Sequence, residues 1–519
     1  MKKKNENLPL ILIILDGWGL SSRKEGNSIY LAKTPFIDNL YKNYPNTELK
    51  AHGKFVGLPS GQVGNSEAGH MNIGAGRIVE QDSVRINFSI KNKSFFKNKS
   101  FKKAIENVKK NNSNLHLMGL LSDKSSPHSE TKHLEHLLKL AREEKVKNIY
   151  LHIFTDGRDS FRYQALKLIT KLEKKLKKNE KIATIMGRFY AMDRKKKWER
   201  TEMAYDFLVS DQGKKENSIQ NGIIENYNLG YTDEFIKPFI NKNISKESRI
   251  NNKDSIIFFN LRSDRARQLS KPFVQKDFNK LNPGSFKRIK ILKDIVFVAM
   301  TNFGPSLGDI LTAFPEDPIK DTLPKALGNL KQLYIAESEK HAHVTYFLNG
   351  GYDKKINNED YFTIKSPMVR SYDKTPGMKS KNLTNKVIKE SSNYDFIFLN
   401  LAAPDMIGHT GNLKAGIECC EIIDKCLIKI VEHYLKINGT VIVSADHGNV
   451  EKLFDIESGK IDTKHTKNPV PLIIINEKLG NLKLRKNGKL SNIAPTVLNL
   501  LNIKKPELMR EDSLIKKYE

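Results

Sequence analysis

The sequence predicts an α/β protein of two domains, one discontinuous in the chain and the other inserted into it. Nine apolar, strand-like runs alternate with Lys-rich helical stretches through most of the 519 residues, the rhythm of an α/β fold. Residue types able to ligate a metal gather before about residue 70 and after about residue 400, while arginines in Gly-flanked motifs dominate the middle. If the outer pieces share one site, they must fold together around the middle. The length prior of about 150 residues per domain suggests roughly three domains and is compatible with two larger α/β units.

The first run, LILIIL at 10–15, follows a basic head, MKKKNEN, and so imitates a signal peptide, but it ends at Asp16 without a small-residue cleavage site. We read it as a buried strand. Around Ala104 to Lys110, Lys132 to Lys145 and Ala165 to Lys178, apolar positions recur three and four apart with Lys and Glu between them, as on amphipathic surface helices. Between and after these come NIYLHIF at 148–154, KIATIMG at 181–187, SIIFFNL at 255–261 and DIVFVAM at 294–300. Turn composition near Glu80 to Val84 and in GPSLGDILTAFP, at 304–315, marks the two crossings. The expected outer domain is therefore 1–81 with 313–519, and the inserted domain is 82–312, with substrate in the cleft between them. The outer domain resumes with KQLYIAE at 331–337, YDFIFLN at 394–400, TVIVSA at 440–445 and PLIIIN at 471–476.

Composition narrows the class. Hydrophobic content of 39% and charged content of 28% are those of a globular chain, and no apolar run approaches the ~20 residues that span a bilayer. The three cysteines, Cys419, Cys420 and Cys426, fall at helical spacing in GIECCEIIDKCLIKIVEHYL, which argues a reduced helix face and a cytoplasmic address. A net charge of +29 raises nucleic-acid binding as a possibility. The excess is scattered as Lys among Asn and Ile without a zinc-finger or RNP pattern, so we expect solvated helix faces and no specific nucleic-acid partner.

The chemistry lies in short motifs. Asp405 and His409 stand four apart after Pro404, so on a first helical turn they share a face. Asp446 and His447 end a strand and precede Gly448, where a sharp turn lets both side chains reach a cleft, and His465 follows in a polar loop. With Asp16 and Ser66 these form a plausible two-metal site around a serine nucleophile, since metal coordination activates a hydroxyl that is otherwise a poor nucleophile. Oxygen and imidazole donors without thiolate suit Mn, Mg or Zn. Spacing alone does not divide the ligands between ions.

In the middle, Arg158 and Asp159 lie in HIFTDGRDS, Arg188 and Arg194 in IMGRFYAMDR, and Arg262 and Arg265 in FFNLRSDRARQ. Guanidinium forks after several strands imply a small, multiply anionic substrate. A carboxylate among arginines, Asp159, would stay ionised and able to accept a proton. Lys340, in IAESEKHAHVTYFLNGG, could steady phosphoryl oxygens.

Together LDGWG, GQVGNSEAGHMNIGAGR, FTDGRD, GRFYAMDR, LRSDRA, AESEKHAHVTYFLNGG, PDMIGHTG, SADHGN and IAPTVLNLL run nearly end to end. In that order they closely resemble the cofactor-independent phosphoglycerate mutases of the alkaline phosphatase superfamily. The resemblance implies an alkaline-phosphatase-like metal domain carrying an inserted substrate-binding domain. It implies one Mn ion on Asp405, His409 and His465, and a second on Asp16, Ser66, Asp446 and His447. It makes Ser66 the residue that is phosphorylated, and makes His128, Arg158, Asp159, Arg188, Arg194, Arg262, Arg265 and Lys340 the groups that bind phosphoglycerate. The implied reaction interconverts 3- and 2-phosphoglycerate in glycolysis and gluconeogenesis without bisphosphoglycerate, in a monomer that engages no membrane. Ser66, Asp159 and Lys340 would be catalytic. The chain departs from the family at SDKSSPHSE, one residue longer than usual before His128 and with Glu130 in place of a second His, at Ser263 in place of Pro, and in DSFRYQ, which lacks a Pro.

Overall fold

The structure, a computed structural model, describes residues 9–123, 126–308, 310–315, 319–352, 354–455, 459–479 and 482–516. The basic head before Pro9 and part of the SDKSSPHSE loop lie outside them. The chain divides into two compact units, Met1–Gln81 with Pro318–Glu519, and Asp82–Asp317. The second crossing falls after 317 rather than after 312, because Leu311–Phe314 is a strand that pairs in parallel with Val296–Thr301 and so belongs to the inserted unit.

The first unit is built on an eight-stranded sheet in the order Glu359–Ile364, Gln332–Glu337, Phe396–Leu401, Leu10–Leu15, Thr440–Ser444, Val470–Ile475, Asn46–Lys50, Gly488–Lys489. The first five strands are mutually parallel, and Val470–Ile475 runs against both of its neighbours. Every residue of Leu10–Leu15 is buried, as expected of a continuous apolar run covered on both faces of a parallel sheet. Ile14 stands opposite both Asn400 and Ser444, so the three central strands finish level. Whatever follows them emerges at one sheet edge, where open α/β sheets gather ligands.

The inserted unit carries a second eight-stranded sheet, in the order Leu311–Phe314, Val296–Thr301, Ser255–Phe258, Leu115–Leu121, Ile149–Thr155, Glu180–Gly187, Phe239–Asn241, Lys215–Glu216. Alternate residues of its central strands enter different cores. Leu115, Leu117, Leu151 and Ile153 pack on one face, and Met118, Leu120 and Phe154 on the other, as period-two geometry requires. The three expected helices are present as Lys99–Asn111, Thr131–Glu143 and Ala165–Glu173. The cysteines lie buried and free on the 24-residue helix Leu413–Lys436. Among the described residues, no helix is long and apolar enough to cross a membrane.

Candidate functional site

Three strand ends of the first unit deliver three carboxylates. Asp16 follows Leu10–Leu15, Asp446 lies just past Thr440–Ser444, and Asp405 sits in the first turn of Ala403–Gly408, a helix with Pro404 at its start. The loops are stitched together closely. Gly17 donates its N–H to Asp446 Oδ1 at 3.2 Å. Its φ is +76°, and a Cβ there would stand 2.7 Å from Asp405 Cα. Both the backbone conformation and the approach require glycine.

Ser66 is the first residue of helix Ser66–Ala75, capped by Asn65, whose side chain accepts from Ala68 N at 2.8 Å. A hydroxyl at a helix N-terminus sits where negative charge is favoured. Ser66 Oγ lies 2.9 Å from His447 Nε2 and 3.3 Å from Asp16 Oδ1, and it accepts from Lys340 Nζ at 2.7 Å. Lys340 also donates to Asp16 Oδ1 and Asp405 Oδ2, each at 2.7 Å. Three buried carboxylates therefore face one buried ammonium. Burial, reinforced by the Asp446 charge, pushes Asp16 up to about 7, although Lys340 pulls the other way. Such a surplus of negative charge suits a cation.

The histidines make the same point. His465 Nδ1 donates to Gly64 O at 2.8 Å and His409 Nδ1 to Thr463 O at 2.9 Å. That tautomer leaves each Nε2 with a lone pair, and the two Nε2 atoms face each other at 3.1 Å, with Asp405 Oδ1 3.2 Å from one and 3.4 Å from the other. Imidazoles held through Nδ1–H by carbonyls, with Nε2 converging beside a carboxylate, are oriented as metal ligands are. Burial lowers the His465 pKa, but hydrogen bonding and charge from Asp405 outweigh it and raise the net value.

Two donor sets have ligand atoms within 4.8 Å of one another: Asp405, His447 and His465, and Asp16, Asp446 and His447. His447 belongs to both, with its ring stacked on that of His465 at 3.9 Å. All seven sequence-derived metal-site residues thus meet in one unit, and Lys340, grouped by sequence with the arginines of the inserted unit, belongs to this first unit and meets them there.

The inserted unit holds the remaining residues. Arg188, whose side chain is buried, donates to Asp156 Oδ1 at 2.6 Å and to Asp159 Oδ2 at 2.5 Å. Ser126 Oγ also donates to Asp159 Oδ2, at 3.2 Å, and His128 Nε2 lies 3.8 Å from that oxygen. Burial, Arg188 and Arg262 push His128 down to about 4, so its imidazole is neutral at pH 7. Arg194 and Arg262 both pair with Asp264, at 2.6 and 3.3 Å. Arg265 donates to Met192 O at 3.2 Å. Burial lowers its pKa, as do the charges of Arg194, Arg188 and Arg158. Arg158 pairs with Glu234 at 3.6 Å. The charges of Arg194, Arg188 and Arg158 thus reach Arg265, a grouping of guanidinium forks of the kind that suits carboxylate and phosphate oxygens.

Sequence reasoning gave no role to several residues that shape these sites. Asp156 accepts from Arg188, from the main-chain N–H groups of Arg158 and Asp159, and from Ser122 Oγ. Asp264 holds two of the arginines. Asn400 donates to Asp16 Oδ2 at 2.7 Å and lies 3.1 Å from His70 Nε2. Asp156 and Asp264 lie inside the FTDGRD and LRSDRA motifs, and an acid two residues from an arginine is the available signal. Asn400 ends an apolar run beside a ligand strand, which spacing does not distinguish from any strand-end Asn.

The Metalloenzyme superfamily model matches residues 8–505. The chain is 44% identical to a 2,3-bisphosphoglycerate-independent phosphoglycerate mutase of Clostridium botulinum, over 98% of this chain and 99% of the relative. It is 47% identical to 2,3-bisphosphoglycerate-independent phosphoglycerate mutase 1 of Methanosarcina acetivorans, over 98% and 99%. Among solved structures it is similar to Leishmania mexicana phosphoglycerate mutase at low cobalt concentration, with a TM-score of 0.76 and 28% identity over 99% of this chain and 98% of that one.

Proposed function

This chain belongs to the 2,3-bisphosphoglycerate-independent phosphoglycerate mutases of the metalloenzyme superfamily, and on that premise we propose that it interconverts 3- and 2-phosphoglycerate through a phosphoserine on Ser66. The observation that carries the reading is Ser66 Oγ itself, held by His447 Nε2 and Lys340 Nζ at the head of a helix among three buried carboxylates. The donor set fits two divalent ions, for which we propose Mn. Asp405, His409 and His465 would hold one, and Asp16, Ser66, Asp446 and His447 the other. When bound, they supply Lewis-acid activation of the serine hydroxyl and neutralise phosphoryl charge.

Phosphoryl transfer asks mainly for positioning and electrostatics. In the first step the bond from phosphorus to the 3-oxygen breaks and a bond to Ser66 Oγ forms, with Lys340 beside the transferring group. Glycerate stays bound through Arg158, Arg188, Arg194, Arg262, Arg265 and His128, and reorients. In the second step the bond to Oγ breaks and the 2-oxygen takes the phosphoryl group. Asp159 gives a proton to the 3-oxygen as it leaves and recovers one from the 2-hydroxyl as that oxygen takes the phosphoryl group, while Ser66 would enter the first step and leave the second as the alkoxide, so the protons balance over the cycle. Arg188 holds Asp159 in place for this role through a charge-assisted hydrogen bond to its Oδ2 at 2.5 Å. The substrate is a small molecule, and we propose a cytoplasmic monomer.

The retention of glycerate is tested by turning over unlabelled 3-phosphoglycerate in the presence of labelled free glycerate. Unlabelled 2-phosphoglycerate is the expected product. Label appearing in product as fast as turnover would replace this mechanism with an intermolecular one.

A further inference from the structure

We propose that Glu451 is a positioning residue whose single buried carboxylate locks the three metal-ligand loops of the first unit into register. The inference rests on the metal-site reading above. Glu451 is 1% exposed and stands outside both donor sets. Its Oε2 accepts from Gly19 N at 3.1 Å and from Asn449 N at 2.8 Å. Its Oε1 accepts from Asn468 Nδ2 at 2.9 Å and from the Thr466 hydroxyl.

Each donor belongs to a ligand loop. Gly19 follows Asp16 by three residues, Asn449 follows His447 by two, and Thr466 is next to His465. The fourth ligand segment is one hydrogen bond further away, because Asn449 Nδ2 donates to Asp405 Oδ1 at 2.8 Å and to Asp405 O at 3.2 Å. The backbone closes tightly on the carboxylate: a Cβ added at Gly19 or at Gly448 would lie 2.3 Å from Glu451 Oε1.

The pattern is specific to an ionised carboxylate. It offers acceptor sites only, and here it meets four donors. A glutamine of the same shape must turn its NH₂ toward one oxygen position. Toward Oε2 it would oppose two main-chain N–H groups. Toward Oε1 it would oppose Asn468 Nδ2, while Thr466 could reverse its hydroxyl. The second orientation costs less, so Glu451→Gln should loosen the His465 loop first. Partners that orient ligands from behind typically contribute 10–100-fold to metal affinity.

The test is Mn²⁺ titration calorimetry on the metal-free full chain, comparing wild type with Glu451→Gln, Asn468→Ala and Glu359→Gln, with a thermal melt of each. Glu359 is the control. It is also a buried carboxylate, accepting from Ile356 N at 2.9 Å and from Asn349 and Tyr361, but it is tied to none of the ligand loops. We expect Glu451→Gln to weaken Mn²⁺ binding about 10–100-fold and Asn468→Ala to weaken it about 10-fold. Glu359→Gln should lower the melting temperature and leave affinity unchanged. Wild-type affinity in a cooperatively melting Glu451→Gln variant overturns the proposal. Should that variant not fold, wild-type affinity in Asn468→Ala overturns it equally. A wild-type protein that takes up no Mn²⁺ would instead remove the metal-site reading, and this inference with it.

Discussion

His409 and His465 meet Nε2 to Nε2 at 3.1 Å, each with its Nδ1 donated to a main-chain carbonyl. Two neutral imidazoles have no hydrogen bond to exchange in that arrangement. A proton or a cation between them, shared with Asp405, resolves it. The contact links local sequence to function, since the loops that set the two tautomers also aim the two lone pairs.

Replacing His465 with Ala should therefore weaken Mn²⁺ binding by more than the roughly 10–100-fold typical of supporting residues, with the fold retained. Calorimetric titration checks this. Unchanged affinity would remove His465 from the ligand set.

Ser66→Ala should abolish the phosphoenzyme and reduce turnover to background, because the hydroxyl that meets both His447 and Lys340 is then gone. Intact mass after rapid quenching with 3-phosphoglycerate should show a phosphoryl adduct on wild type alone. The melting temperature should change little, since only one hydroxyl is lost.

Mn²⁺ affinity should rise with pH. The His465 pKa is raised above its ordinary 6.5 in the metal-free protein, so below that raised value a proton must leave before metal binds. In the metal-free state the sign reverses: protonated His465 contributes stability that is full below about 6.5 and is lost as pH rises through the raised value. Titrations and melts from pH 5 to 9 should show these opposite slopes, whereas flat affinity would exclude His465 as a ligand.

Arg188→Ala should destabilise the inserted unit by about 3–5 kcal/mol, the usual cost of leaving a buried charge unpaired, because Asp156 then has no cationic partner. The pair of Lys355 with Asp360, both more than half exposed, should contribute no more than about 1 kcal/mol. Denaturant melts of Arg188→Ala and Lys355→Ala compare the two directly.

Much of this was legible in the sequence because the features are local. LILIIL, YDFIFLN and TVIVSA are runs rich in aliphatic, β-branched and aromatic residues that can be read as strands by inspection, and the ligand acid follows directly at Asp16 and Asp446 and five residues after Asn400 at Asp405. Leu115–Leu121 was absent from the expected strands although it is the centre of the second sheet. LHLMGLL has no β-branched residue, and its leucines and methionine carry helix propensity. Asn46–Lys50, NTELK, forms near the sheet edge without an apolar pattern and takes its place from pairing with Val470–Ile475. Contacts such as Glu451 with Gly19, 432 positions apart, depend on how loops from separate strands converge, which no spacing rule encodes.

The most direct test of the account converts 3-phosphoglycerate with no bisphosphoglycerate present, using chelator-stripped protein with and without added Mn²⁺, while inorganic phosphate is assayed in the same tube. The account predicts Mn²⁺-dependent 2-phosphoglycerate with almost no free phosphate. Phosphate release without 2-phosphoglycerate would contradict it, showing a working phosphoryl-transfer site in a protein that does not retain glycerate.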